Sequence, residues 1–281
     1  MNIIEYTELT DEIARDGCLV RNMPNDAYHA YPAINKSSLD LINRSPAHYA
    51  FAPPREQTRA MVIGSAIHAA ILEPASFASD YLLLKDVTDR RSSEYKQAIK
   101  AHSADYVLTG KEAQQVSDMQ ASVQRSSAAK LLTNGYAELA VFATDPETGE
   151  LCKIKIDYLT ADLIALDLKS TQDIREFYKS VGNYNYHMQD AFYSDVFEWA
   201  TGQPLNAFRF LAVEKELPCA VKLFELDHIA KQAGRKMYRD ALNTYAECNA
   251  SKHWPAPSDE LEYISLPSWI TDNIDEEQGE F

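Results

Sequence analysis

At 281 residues, with 46% hydrophobic and 25% charged side chains, the chain has room for one large domain or two small ones and the make-up of an ordinary globular protein. Its formal charge of −15 argues against a generic nucleic-acid coat protein, although a local basic lining can exist on an acidic molecule. No apolar run approaches the ~20 residues that span a bilayer, and Met1-Asn2-Ile3-Ile4-Glu5-Tyr6 lacks a basic start before an apolar stretch, so a cytoplasmic location without membrane attachment is expected.

The first 35 residues read as irregular, with Pro24, Pro32 and several Asn and Asp. Ser37-Ser38-Leu39-Asp40-Leu41-Ile42 reads as a serine-capped helix ending near Ser45-Pro46. Residues 47–59 carry adjacent prolines and three charges and read as loop or a short helix. Met61 to Leu72 is a strongly apolar helix stopped by Pro74, with Gly64 and His68 on one face. Glu73, five residues after His68, reads as a cap or surface contact pointing elsewhere. Residues 85–105 are charged, and Thr109 to Leu132 is an amphipathic helix.

A strand-rich block follows: Glu138 to Thr144, a turn at Asp145-Pro146-Glu147-Thr148-Gly149, then Leu151 to Leu159. In the second strand Lys153, Lys155 and Asp157 alternate with Cys152, Ile154 and Ile156, which puts Asp157 on the lysine face. After a short turn, Leu163 to Leu168 is nearly all apolar, as at the centre of a sheet. Ser180 to Trp199 is one long helix by the spacing of Val181, Tyr184, Met188, Phe192, Val196 and Trp199. Phe208 to Val213 and Val221 to Leu226 are strands, Asp227 to Ala250 is a helix, and a Pro-containing, acidic tail closes the chain. The order suits an α/β domain with an N-terminal helical extension.

Chemistry concentrates around Asp157, Asp167 and Lys169. Asp167 and Lys169 are two apart on a strand and share a face. Pairing about a turn at 160–161 sets Asp157 nearer the turn than Asp167, so a bulge or bend must bring the carboxylates together. Magnesium takes oxygen ligands, commonly one or two carboxylates with phosphate and water, and a nearby lysine can orient water or offset charge on phosphorus. The backbone carbonyl of Leu168 is a further candidate oxygen ligand. Taken singly, these residues have blander readings: a strand ending in Asp-Leu-Lys is common, a lone His68 is more often a hydrogen-bonded core residue, and Gln189 with Tyr193 could be an ordinary i, i+4 pair. Tyr184 and Tyr186 read as packing residues rather than base-stacking ones. The chain has no HExxH, no GxxxxGK[ST] and no GxSxG, which disfavours a zinc protease, an NTPase and an α/β-hydrolase. Cys18, Cys152, Cys219 and Cys248 stand singly and read as reduced thiols.

In combination these segments resemble the PD-(D/E)XK nuclease superfamily, and within its RecB-like branch the nuclease domain of the RecE (exonuclease VIII) family. The resemblance runs from about Tyr28 to Trp269. It is carried by Tyr28-His29-Ala30, Ser37-Ser38-Leu39, Ser45-Pro46-Ala47-His48-Tyr49, Gly64-Ser65-Ala66-Ile67-His68 with Leu72-Glu73-Pro74, Lys155-Ile156-Asp157, Asp167-Leu168-Lys169-Ser170-Thr171, Gln189-Asp190-Ala191-Phe192-Tyr193, Trp254-Pro255 and Leu266-Pro267-Ser268-Trp269.

The resemblance implies a central mixed sheet flanked by helices, with residues 1–270 as one nuclease domain and 271–281 as an acidic, mobile tail. It implies His68, Asp157, Asp167 and the Leu168 carbonyl as ligands of Mg²⁺, with Mn²⁺ as an alternative. Lys169 is then catalytic, and Gln189 and Tyr193 face the site, bonding DNA phosphate or the lysine. Ser45-Pro46 stands where some relatives place an iron–sulfur cysteine, so no cluster is expected. The implied activity is digestion of linear double-stranded DNA from its ends, typically 5′ to 3′ and processive, by a ring-shaped homo-oligomer working with a RecT-like single-strand annealing protein. Lys153, Lys155, Lys179, Arg90 and Arg91 are candidates for the lining of a DNA channel.

Overall fold

The computed structural model describes residues 3–54 and 56–267. Ser268 and Trp269 of the expected closing segment, and the acidic tail 271–281, lie outside the described residues. In chain order the elements are β1 (Ile3–Glu5), α1 (Asp11–Asp16), β2 (Cys18–Arg21), α2 (Asn25–Ala30), α3 (Lys36–Arg44), α4 (Pro46–Ala50), α5 (Arg59–Leu72) and α6 (Pro74–Asp80). Then come β3 (Leu82–Leu84), α7 (Ser93–Ala101), β4 (Val107–Thr109), α8 (Gly110–Arg125), β5 (Gly135–Thr144), β6 (Leu151–Thr160) and β7 (Ile164–Thr171). The chain continues through α9 (Phe177–Asn183), α10 (Tyr186–Thr201), β8 (Ala207–Glu214), β9 (Val221–Phe224) and α11 (His228–Ser251).

Seven strands form the main sheet in the order β1-β2-β5-β6-β7-β8-β9. β5, β6 and β7 run antiparallel in sequence, β7 and β8 pair in parallel, and the crossover between them carries α9 and α10. The sheet is therefore mixed, with helices on both faces, as expected. Leu39, Ile42, Met188, Phe192, Val196 and Leu242 cover one face with α3, α10 and α11. Ala66, Ala70, Val116, Met119 and Val123 cover the other with α5 and α8, against Leu166, Leu168, Leu211 and Val213. Among the described residues no helix is long and apolar enough to cross a membrane.

Four expectations are corrected. The first 35 residues are not irregular: Cys18, Leu19 and Val20 are fully buried in β2, which pairs with β5 through Leu19↔Val141, and a three-residue apolar run was too short to announce a strand. The α3 cap is Asn35, whose side chain accepts the Ser38 amide at 2.9 Å, so both serines lie inside the first turn. The helix expected to 132 ends at Arg125, where Ser126 caps a short 3₁₀ turn instead. The helix expected over 180–199 is two helices, because Asn185 adopts a left-handed conformation (φ 52°) between α9 and α10. Its side chain donates to Asp40 Oδ1 at 3.1 Å, and Lys36 Nζ donates to the Tyr184 carbonyl at 2.6 Å, so the break is tied to α3. Pro74 does stop α5, and it also opens α6 at a position where no amide is needed.

Candidate metal centre

β6 and β7 pair through Tyr158↔Leu166 and Leu159↔Ala165. Continued by one residue, this register sets Asp157 directly across from Asp167, not nearer the turn as expected. The next rung is made by a side chain: Asp157 Oδ2 accepts the Leu168 amide at 2.7 Å. The required bend comes from β5. Glu138 lies opposite Asp157 and is omitted from a ladder that is regular on either side, at Leu139↔Ile156 and Ala137↔Tyr158. Its φ is 49°, the left-handed region that costs a residue bearing a Cβ roughly 1 kcal/mol or more. Side-chain alternation breaks at the same point: Ile154 and Ile156 join the core under α10, while Tyr158, of equal parity, joins the core under α5.

His68 enters from α5, whose buried Ala66, Ile67, Ala70 and Ile71 seat the helix on the sheet. Its Nδ1 stands 3.5 Å from Asp157 Oδ2 and 3.9 Å from Glu138 Oε1. One ligand atom each from His68, Glu138 and Asp157 lies within 4.8 Å of the others, the one such His/Cys/Asp/Glu group found among the described residues. Burial works against the His68 imidazolium, but Asp157 and then Glu138 outweigh it and hold its pKa up at about 9. Burial, aided by Asp167 and Glu138 and opposed by His68, pushes Asp157 up to about 7. Burial opposes the charge on Glu138 too, yet His68 and Lys155 hold it down at about 2. A ligating His68 must be neutral, so ion binding there is coupled to release of its proton. Two carboxylates and an imidazole fit a divalent ion.

Asp167 adjoins this group. Gln189 Nε2 donates to Asp167 Oδ1 at 2.6 Å, and Lys169 Nζ lies 2.5 Å from Asp167 Oδ2. Gln189 is buried, and its partner among the site residues is the Asp167 carboxylate, not the lysine. Lys169 Nζ sits 4.8 Å above the Tyr186 ring, which stacks on Phe210. Burial opposes the lysine's charge, but Asp167 and Asp157 raise its pKa above the usual range. Tyr193, one turn after Gln189, packs edge-on to Phe208; burial, and then Tyr28, Asp167 and Asp157, push its phenol far up. The structure therefore gathers His68, Asp157, Asp167, Lys169, Gln189 and Tyr193, with the Leu168 amide engaged by Asp157.

Glu138 is the residue that sequence reasoning missed. In the sequence it is an ordinary strand start, and its left-handed backbone leaves no trace in periodicity. Glu73 stands at the cap between α5 and α6, in line with the cap reading; burial and then the Glu138 charge raise its pKa. Among the channel candidates, Lys153 is corrected outright. It is buried, and its Nζ donates to the carbonyls of Tyr28 (2.6 Å), His29 (3.2 Å) and Tyr31 (2.6 Å). Lys155 bonds Glu138 at 2.9 Å and Asn25 at 2.6 Å. Lys179 pairs with Glu176 and Arg91 with Asp89 on the exposed surface. Arg90 and Arg91 border a shallow cavity of about 340 Å³ that none of the six gathered residues lines.

A family model described as "PDDEXK-like domain of unknown function (DUF3799)" matches residues 37–267. Among solved structures, a candidate exonuclease from Eubacterium rectale superposes with a TM-score of 0.61 at 13% identity, over 96% of this chain and 99% of the other. A phage-related exonuclease from Haemophilus somnus 129PT gives a TM-score of 0.33 at 12% identity, over 80% of this chain and 99% of the other. No curated protein matches the chain.

Proposed function

The chain belongs to the family of PDDEXK-like domains of unknown function (DUF3799), and from that membership and the chemistry of its site we propose that it is a divalent-metal-dependent deoxyribonuclease. The observation that carries the reading is the meeting of His68 and Asp157 with the Asp167–Lys169 pair where β6 and β7 part. An ion held by His68, Asp157 and Asp167, with the Leu168 carbonyl as a further oxygen, would polarise the scissile phosphate and lower the pKa of water. Lys169, fixed between Asp167 and the Tyr186 ring, orients the attacking water or offsets charge on phosphorus. Gln189 positions Asp167 through its hydrogen bond, and Tyr193 lies close enough to feel the Asp167 charge. A non-catalytic DNA-binding role has no need of this ion-and-lysine set.

More finely, we take the enzyme as a Mg²⁺-dependent exonuclease on linear double-stranded DNA, cutting 5′ to 3′ and processively, in recombination of the phage type. The resemblance to the RecE family supports this, together with a cytoplasmic location, one nuclease domain over residues 1–270, a ring-shaped homo-oligomer and a RecT-like annealing partner. A ring would let topology replace electrostatic grip, which suits an acidic chain. The test is digestion of 5′- and 3′-labelled linear duplex beside covalently closed circles, with Mg²⁺ or EDTA. Loss of linear duplex alone, from the 5′ end and abolished by EDTA, is expected. Cleavage of circles would favour an endonuclease, and DNA binding without metal-dependent cleavage a binding protein. Asp167→Ala or Lys169→Ala should abolish digestion in a folded protein, and full activity in either would remove the assignment.

A further inference from the structure

Glu138 carries the left-handed backbone at which β5 bends. The pairs on either side of it are regular, so the distortion is confined to one residue. What it accomplishes is to turn the carboxylate out of the ladder toward His68. Its two oxygens then face different partners: Oε1 lies 3.9 Å from His68 Nδ1, and Oε2 lies 2.9 Å from Lys155 Nζ. Lys155 is itself held, donating to Asn25 Oδ1 at 2.6 Å, so a relay from Asn25 through Lys155 fixes Glu138. Asp167 adjoins them: Gln189 donates to its Oδ1, while its buried Oδ2, paired in charge with Lys169, has no hydrogen-bond partner among the described residues.

The spacing also suits an ion. Donors roughly 2.1 Å from a divalent cation lie about 3 Å apart when adjacent and about 4.2 Å apart when opposite. The observed separations from His68, 3.5 Å to Asp157 and 3.9 Å to Glu138, fall between those limits. We propose that Glu138 is a direct ligand of the divalent ion, a further donor beside His68, Asp157 and Asp167, and that Lys155, steered by Asn25, is its positioning residue. The proposal rests on the metal-dependent nuclease reading above. It gives the strained β5 residue a purpose, since strain of this kind is retained where it arranges a site.

The test is Mn²⁺ binding to the full chain, followed by calorimetry and by the spin-resonance signal of free Mn²⁺, independently of DNA digestion. Glu138→Gln keeps the shape and the backbone demand but removes the charge, and should weaken Mn²⁺ by about tenfold or more. Lys155→Met should weaken it less, leaving the ligand in place but loosely held. Glu138→Gly releases the left-handed strain, so it should fold at least as well as the parent and still bind Mn²⁺ as poorly as Glu138→Gln. That variant decides the matter if the glutamine variant fails to fold. Parental affinity in Glu138→Gln or Glu138→Gly, with binding lost in Asp157→Asn, would overturn the role of Glu138 and leave the nuclease reading standing. Absence of Mn²⁺ binding to the parent would remove both.

Discussion

At the scale of single residues, Asp190 shows what the core bears next to the site. It follows Gln189 on α10, is fully buried, and its Oδ2 has no hydrogen-bond partner among the described residues. Lys231 Nζ stands 4.0 Å off, and burial, only partly offset by that lysine, pushes the carboxyl up to about 7. Its folded pKa thus lies above its unfolded value of 3.8. The destabilisation is absent below about pH 4, grows between pH 4 and 7, and is full above pH 7. Asp190→Asn should stabilise the protein by about 1–3 kcal/mol at pH 8 and much less at pH 5. Thermal melts of parent and variant at both pH values check this, and an equal difference at each would contradict it. The site residues were legible as types: a paired Asp and Lys two apart, and a histidine on an apolar helix. Glu138 was not, because its role depends on one dihedral angle. Nor was the burial of Lys153, since alternation along a strand cannot tell water from a ring of carbonyls.

At the scale of elements, the position of α10 decides whether Gln189 reaches Asp167. α10 is held by α11, which approaches so closely that a Cβ at Gly234 would fall 1.9 Å from the His187 carbonyl oxygen and 2.9 Å from the Met188 amide. Gly234→Ala must therefore push the helices apart, at about 1–3 kcal/mol by analogy with other overpacked cores. The expected outcome is a lower Tm with activity reduced beyond the loss of folded protein, as Asp167 loses its partner; unchanged stability would show that the contact yields freely. The long elements were readable because many residues repeat one pattern, α10 by its apolar stripe and β6 by its alternation; α11 starts at His228, one residue after the expected Asp227, which instead caps it by accepting the Ala230 amide at 2.8 Å. The α9/α10 break was hidden because the apolar spacing runs on across Asn185 and cannot report a left-handed turn. β1, β3 and β4, three residues each, are too short for any period to show.

At the scale of the molecule, the matched span 37–267 leaves out the segment carrying β1, β2 and α2. That segment shields Ala140 and Phe142 with Ala14, Cys18, Val20 and Tyr28, and it supplies all three carbonyls that receive Lys153. A chain begun at residue 37 would bare a wide apolar strip and open the side of β5 to other chains. It should collect in the insoluble fraction on expression, while the full chain stays in solution, and equal recovery of both would refute this. The N-terminal residues thus act as the keystone of an arch: the boundary drawn by likeness to other proteins and the boundary of what can stand alone fall in different places.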